Sequence, residues 1–195
     1  MPSNLKIILA SGSQTRCMLL ERLQLKFTTD PADIDESPLP DETPKQACIR
    51  LAASKAEHVQ KRHPDALIIG SDQILECNGA MLGKPGNATK ARAQLQTISG
   101  QEVVFHVGLT LIAPHGRRDW YEAVRVKMRQ LDSDSINTYL QREQPFSCAG
   151  SMRSEGLGSA LVESMHSQDP SAIMGMPMIA TARCLRELGV DPLAG

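Results

Sequence analysis

An acid ends an apolar run in this chain. Leu67, Ile68 and Ile69 lead through Gly70 and Ser71 to Asp72, and Gln73 follows. An ionised carboxylate so placed loses hydration unless it finds a cation or a metal. A dozen residues on, Lys84 stands between Gly83 and Pro85, a rigid setting for a long cation. Lys55 falls inside an apolar stripe of Cys48, Leu51, Ala52, Ala56 and Val59, where an ammonium must pair or snorkel. Arg16 follows "ASGS", which offers backbone N–H groups and the hydroxyls of Ser11 and Ser13 where a helix begins. Asp35 and Glu36 form a second acidic point in a loop after a strand. Carboxylates that meet at strand ends make a hard-oxygen site suited to Mg²⁺ or Mn²⁺. Arg16, Lys55 and Lys84 would then hold a phosphate-rich anion and the acids a metal. Hydrolysis by a metal-activated water needs only these parts.

Each feature also has a plainer reading. Arg16 can be a surface residue on a capped helix, Asp72 a strand end in solvent, and Lys84 part of a tight turn. Arg153 and Glu155 stand in "GSMRSEGLG", either a ligand-contacting loop or a simple turn. No Walker A or Gly-x-Gly-x-x-Gly run joins a strand to a helix, and the five histidines show no metal spacing. No Ser-His-Asp or Cys-His order suggests itself.

The elements that must position these groups are legible from periodicity and caps. Leu5 to Ala10 reads as a buried strand, and Ser13 caps the helix that follows. Residues 26–36 read as a short strand ending in an acidic loop. Thr43, Pro44 and Gln46 give an N-cap, an N1 proline and a capping-box glutamine for a helix to about His63. A strand over 66–76 turns at Asn78-Gly79 and returns through Met81 and Leu82. Asn87 caps a helix to about Thr97. Residues 102–113 form a long strand, "PHGRRD" a hairpin turn, and Val124, Val126 and Met128 alternate on the returning strand. Asp132 or Ser133 caps a helix to about Arg142, Asp169-Pro170 starts a short turn, and Pro177 opens the last helix. Interleaved strands and helices with one wide hairpin indicate an α/β protein with a mixed sheet. Two lobes, about 1–100 with 166–195 and 101–165, would leave a cleft between them.

Composition bounds the partners. With 195 residues, 41% hydrophobic and 22% charged, the chain suits one globular domain. A net charge of −1 gives no global pull toward nucleic acid or an anionic membrane. Five scattered cysteines without a Cys-x-x-Cys pair argue against a disulfide framework or a zinc cage. The first apolar run is too short for a signal segment or a span, so a cytoplasmic protein is expected.

The segments carrying these residues resemble the Maf family of nucleoside triphosphate pyrophosphatases, in order over nearly the whole chain. They are "IILASGSQTR", "DIDES", "LAASKA", "GSDQ" with "LGKP", "CAGSMRSEGLG" and "DPSAIMGMP". The resemblance implies a single domain over 1–195 with a mixed central sheet, flanking helices and a cleft, like the inosine triphosphatases. It implies cleavage of a nucleoside triphosphate to monophosphate and pyrophosphate with a divalent metal, Mg²⁺, Mn²⁺ or Co²⁺, and it is compatible with a homodimer. By resemblance, Asp72, Lys55 and Lys84 are catalytic, Asp72 serving as general base or as ligand of the metal that activates water. Glu36 joins Asp72 as metal ligand, and Ser11, Ser13, Arg16 and Arg153 bind substrate. "GSDQ" and "AGSMRSEGLG" resemble the 7-methyl-GTP pyrophosphatase branch, so Gln73 and Glu155, with Thr15, would set base preference. A carboxylate at 155 can accept from the N–H groups of a guanine edge.

The chain also departs from the family. After the second serine the family has Pro and then Arg, or an aromatic in this branch; here Gln14 and Thr15 stand there. That removes a ring able to stack on the base. A dTTP/UTP pyrophosphatase therefore stays open as an alternative. A nucleotide-binding regulator of septum formation is the alternative from another class.

Overall fold

In the computed structural model, residues 5–194 are described; residues 1–4 of the N-terminal stretch and Gly195 lie outside them. The chain runs β1 (Ile7–Leu9), α1 (Gln14–Glu21), β2 (Phe27–Thr29), α2 (Pro44–Gln60), β3 (Leu67–Cys77) and β4 (Ala80–Leu82). It continues with α3 (Ala88–Ile98), β5 (Glu102–Ala113), β6 (Gly116–Met128), α4 (Ser133–Glu143), β7 (Val162–His166) and α5 (Met178–Glu187). Three 3₁₀ turns, Ala149–Ser151, Leu157–Leu161 and Pro170–Met174, punctuate its last third.

The caps act as the side-chain chemistry requires. Ser13 accepts from the Arg16 N–H, Asn87 from Lys90 and Asp132 from Ser135. Thr43 and Gln46 close a full capping box ahead of Pro44. α2 stops at Gln60, about a turn earlier than the proline at 64 suggests, with Lys61 as C-cap and the side chains of Arg62 and His63 beyond it on Asp30. The hairpin turn is tighter than "PHGRRD" implies. Ala113 already pairs with Gly116, and Arg117, Arg118 and Asp119 are strand residues. Their charges face partners on the sheet surface: Arg117 binds Asp119 and Glu57, and Arg118 binds Glu187.

Among the described residues, seven strands form one mixed sheet in the order β2-β1-β3-β5-β6-β7, with β4 also paired to β3. β1 is parallel to both β2 and β3; the other pairings are antiparallel. On one face, α1 and α5 cover the β1 end through Leu19, Leu20, Cys184 and Leu185, while α3 and α4 cover the far half through Leu95, Ile98, Ile136 and Tyr139. The opposite face carries α2, which packs Ala56 and Val59 on Ile8 and Ile68. Two glycines set how closely α2 approaches. A β-carbon on Gly70 would collide with the Ala52 carbonyl, and one on Gly108 with the Cys48 carbonyl. The helix backbone thus rests directly on β3 and β5, and this closeness brings Lys55 to the acid on β3. Among the described residues, no helix is long and apolar enough to cross a membrane.

Candidate active site

β3 is longer than its neighbours on one side. Leu67–Ile69 pair with β1, and Leu75–Cys77 pair with β4. Among the described residues, 70–74 between them have a strand neighbour only on the β5 side, where Asp72 is opposite Gly108. The sheet therefore opens where the apolar run ends. This opening is the floor of a cleft, and Asp72 stands in it.

Lys55 reaches the floor from α2. Its Nζ lies 2.6 Å from Asp72 Oδ1 and 2.6 Å from Glu36 Oε1. Lys55 is 6% exposed and Asp72 7%, so water cannot neutralise either, and the pairing answers the cost of burying them. Glu36 is about half exposed. Burial works to raise its pKa, but the hydrogen bond and charge of Lys55, with Lys84 and Arg16 further off, hold it below the usual carboxylate range. Asp35, its neighbour in sequence, takes no part. Its Oδ1 accepts from the Ser37 N–H at 2.9 Å in an exposed turn.

Arg16 enters from the first turn of α1. Its Nε donates to the Gly175 carbonyl at 2.9 Å and its Nη1 to Ser11 Oγ at 3.4 Å. Burial pulls its pKa down, opposed by the charges of Asp72 and Glu36. Ser11 Oγ also accepts from the Ser13 N–H at 3.1 Å, which shapes the loop between β1 and α1. Lys84 makes no ion pair or hydrogen bond among the described residues and is exposed to the cleft.

The opposite wall is the segment 147–158. Glu155 Oε1 accepts from the Thr15 hydroxyl at 2.9 Å, and Arg153 pairs with Glu143 at 3.0 Å and approaches Glu155 at 3.7 Å. Thr15, where no ring is available to stack, thus has a polar task in orienting Glu155. Gln73 donates to the Ile173 carbonyl at 2.9 Å, leaving its own carbonyl oxygen available to the cleft.

Two adjoining cavities fill the cleft. One, of about 410 Å³, runs from Arg16, Asp72 and Gln73 to Glu155 and has apolar walls of Ile74, Met81, Met152, Ile173 and Met174. The other, of about 540 Å³, is polar and is lined by Ser11, Ser13, Lys55, Lys84 and Arg153, among others. All the candidate residues, Ser11, Ser13, Thr15, Arg16, Glu36, Lys55, Asp72, Gln73, Lys84, Arg153 and Glu155, line one or the other. The polar cavity suits phosphates. The apolar one suits a flat base, with polarizable thioethers in place of aromatic rings.

The donor set fits a divalent cation of the Mg²⁺ type. Glu36 and Asp72 each turn one oxygen to the Lys55 ammonium, which places both carboxylates at the cleft floor, and such ions are commonly held by one or two carboxylates together with substrate phosphates. Among the described residues no cluster of three acidic, histidine or cysteine side chains offers a complete cage, so substrate oxygens would have to complete the coordination.

Several supporting residues were not singled out as site residues from the sequence. Buried Ser71 lies 2.8 Å from the Gly108 carbonyl and 2.9 Å from that of Gly175, so its hydroxyl links the sheet to the carbonyl that Arg16 uses. Asp169, 4% exposed, accepts from Ser171 through Oδ1 and from the Ile179 and Ala180 N–H groups through Oδ2. It thereby caps α5, whose own N-cap position holds Pro177. Glu143 accepts from the Leu157 N–H at 2.6 Å and Tyr139 from the Arg153 N–H at 3.0 Å, mooring the 153–158 loop to α4. Ser71 and Asp169 lie in quoted segments, "GSDQ" and the Asp-Pro that opens a helical turn, whereas Tyr139 and Glu143 lie in none.

Comparison with known proteins shows the family of the chain. The family described as Maf-like protein matches residues 6–188. The 7-methyl-GTP pyrophosphatase of Aromatoleum aromaticum is 46% identical over 187 residues, 95% of this chain and 96% of that one. The 7-methyl-GTP pyrophosphatase of Chromohalobacter salexigens is 45% identical over 190 residues, 96% of this chain and 98% of that one. Among solved structures, the Staphylococcus aureus Ham1 protein aligns with a TM-score of 0.45 at 16% identity, covering 63% of this chain and 71% of that one.

Proposed function

The chain belongs to the Maf family, and from that footing we propose that it hydrolyses 7-methyl-GTP, or a similarly modified nucleoside triphosphate, to the monophosphate and pyrophosphate. The observation that carries this reading is the Lys55 ammonium shared by Glu36 and Asp72 at the cleft floor, with Arg16 and Lys84 facing the same space. The relatives reported above carry the 7-methyl-GTP name, so the dTTP/UTP alternative and the non-catalytic regulator are not favoured.

In this reading the triphosphate lies in the polar cavity against Arg16, Lys55, Lys84 and the serine loop. Arg153 guards its edge. Water attacks the α-phosphorus, the bond from that phosphorus to the α–β bridging oxygen breaks, and pyrophosphate leaves with that oxygen. The cations neutralise the charge that grows on the leaving group. Asp72, on the floor beside Lys55, takes the proton of the water or else joins Glu36 in holding the metal that activates it. Glu36 and Asp72 would hold a divalent cation, Mg²⁺, Mn²⁺ or Co²⁺, which when bound neutralises phosphate charge and lowers the pKa of water. Glu155, oriented by Thr15, accepts from the N–H edge of guanine, and its charge also favours a cationic, methylated ring. Gln73 offers its carbonyl to the same base. A cytoplasmic place and a homodimer complete the proposal.

Pyrophosphate release from a panel of methylated and unmodified triphosphates, with each metal in turn, tests it. Turnover should be fastest on 7-methyl-GTP. Asp72→Asn should lower kcat at least about a hundredfold while nucleotide binding persists. A panel with no activity on any guanine nucleotide would end the reading.

A further inference from the structure

Glu36 stands on the irregular segment that joins β2 to α2, yet its carboxylate sits 2.6 Å from Lys55. A loop needs anchoring to hold a side chain that well. The anchor is Arg50, about two turns into α2. Its Nε donates to Glu42 Oε1 at 2.6 Å and its Nη2 to Glu42 Oε2 at 2.7 Å, a two-pronged fork. The same Nη2 also donates to the Ser37 carbonyl at 3.1 Å. Glu42 Oε2 accepts from the Leu39 N–H at 3.0 Å, so one guanidinium gathers both ends of the 37–42 turn. The Glu42 side chain is 8% exposed and that of Arg50 27%, so the fork is partly screened from water.

Arg50 and Lys55 belong to one helix, five residues or about 7.5 Å apart along its axis. Lys55 takes the Glu36 carboxylate; Arg50 takes the next residue's carbonyl. Glu36 is therefore fixed at two points by one rigid rod, itself seated on Gly70 and Gly108.

We propose that Arg50 is a positioning residue for the hydrolysis: it fixes the backbone beside Glu36 so that the carboxylate is available to a divalent cation arriving with the triphosphate. The inference rests on the reading of Glu36 as a metal ligand. A fork that served only to stabilise the start of α2 would change the melting temperature and leave the metal requirement as it was.

The test measures Mn²⁺ dependence of 7-methyl-GTP turnover, and Mn²⁺ binding by electron paramagnetic resonance in the presence of an α,β-methylene triphosphate that cannot be cleaved. Arg50→Met should raise the half-saturating Mn²⁺ concentration about tenfold, weaken Mn²⁺ binding by a similar factor, and recover most of its kcat at high Mn²⁺. Arg50→Lys should fall between, because an ammonium cannot fork. Glu42→Gln, which removes the other half of the fork, should shift the same readouts in the same direction and serves if Arg50→Met does not fold. Glu36→Gln is the control. If it leaves Mn²⁺ binding unchanged, the metal-ligand reading falls and the role of Arg50 with it. If Glu36→Gln weakens binding while folded Arg50→Met and Glu42→Gln bind Mn²⁺ within about twofold of the unaltered protein, the positioning role alone is overturned.

Discussion

The hydroxyl of Thr15 donates to Glu155 across the cleft at 2.9 Å, joining the first turn of α1 to a loop 140 residues later. A hydrogen bond to a carboxylate in a partly exposed place contributes about 1 kcal/mol, which is about a fivefold effect. Thr15→Val should therefore raise KM for 7-methyl-GTP about fivefold with kcat little changed. It should also lower the ratio of kcat/KM for 7-methyl-GTP to that for dTTP. Thr15→Ser should restore both. Steady-state kinetics on the two nucleotides reads the outcome, and an unchanged ratio in Thr15→Val would remove Thr15 from base selection.

The seat of α2 predicts a coupling between packing and activity. Gly108→Ala drives a β-carbon into the Cys48 carbonyl, which belongs to helix backbone and cannot rotate away. The helix must lift, and overpacking of this kind costs about 1–3 kcal/mol. Urea unfolding should show that loss. Lys55 moves with the helix, so turnover by the folded fraction should fall as well. Gly79→Ala is the contrast, because the space around that position is open and the loss comes only from its positive φ.

Asp169 joins the 170–178 segment to α5, and the carbonyls of that segment receive Gln73 and Arg16. Asp169→Ala leaves the Ile179 and Ala180 N–H groups without their acceptor inside a buried place. A loss of about 2 kcal/mol is expected from the cap. Arg16 should lose its fixed direction, which would appear as a raised KM for the triphosphate. Thermal unfolding and initial rates on the same preparation separate the two effects.

Acid should loosen the turn that Arg50 gathers. The hydrogen bonds from Arg50 lower the Glu42 pKa from an ordinary 4.5 to about 2, against the opposing effect of burial and with help from the Leu39 N–H. A carboxyl whose folded pKa is depressed contributes its stability above the unfolded value and loses it as pH falls toward the folded one. The stability gap between the unaltered protein and Glu42→Gln should be constant above about pH 5 and shrink steadily below it, closing near pH 2. Denaturant midpoints at pH 6, 4 and 3 would check this, and a gap that widens toward acid would contradict the pairing.

The sequence made local chemistry easy to read and tertiary support hard. Ser13, Thr43, Gln46, Asn87 and Asp132 announce their helices because a cap needs only residues three or four apart. Lys55 was legible because an ammonium in an apolar stripe demands a partner, and the structure supplies Asp72 and Glu36. Asp35 and Glu36 looked equivalent, since adjacent loop acids differ only in which one the backbone turns inward. The arginines at 117 and 118 read as turn residues because their partners, Glu57 and Glu187, lie far away in sequence. Arg50 and Glu143 were silent for the same reason. Each matters through a backbone atom it grips, and no spacing rule marks a carbonyl.

Asp72 and Lys55 are buried on strand and helix, whereas Thr15 and Glu155 meet at the mouth, on a helix end and a loop. If Thr15 and Glu155 select the base as proposed, that part of the selection lies away from the buried Lys55–Asp72 pair, while Gln73 adjoins Asp72 directly. Exchanges at Thr15 or Glu155 would then alter base preference without disturbing the seat of α2, where Gly70 and Gly108 leave no room for an added carbon.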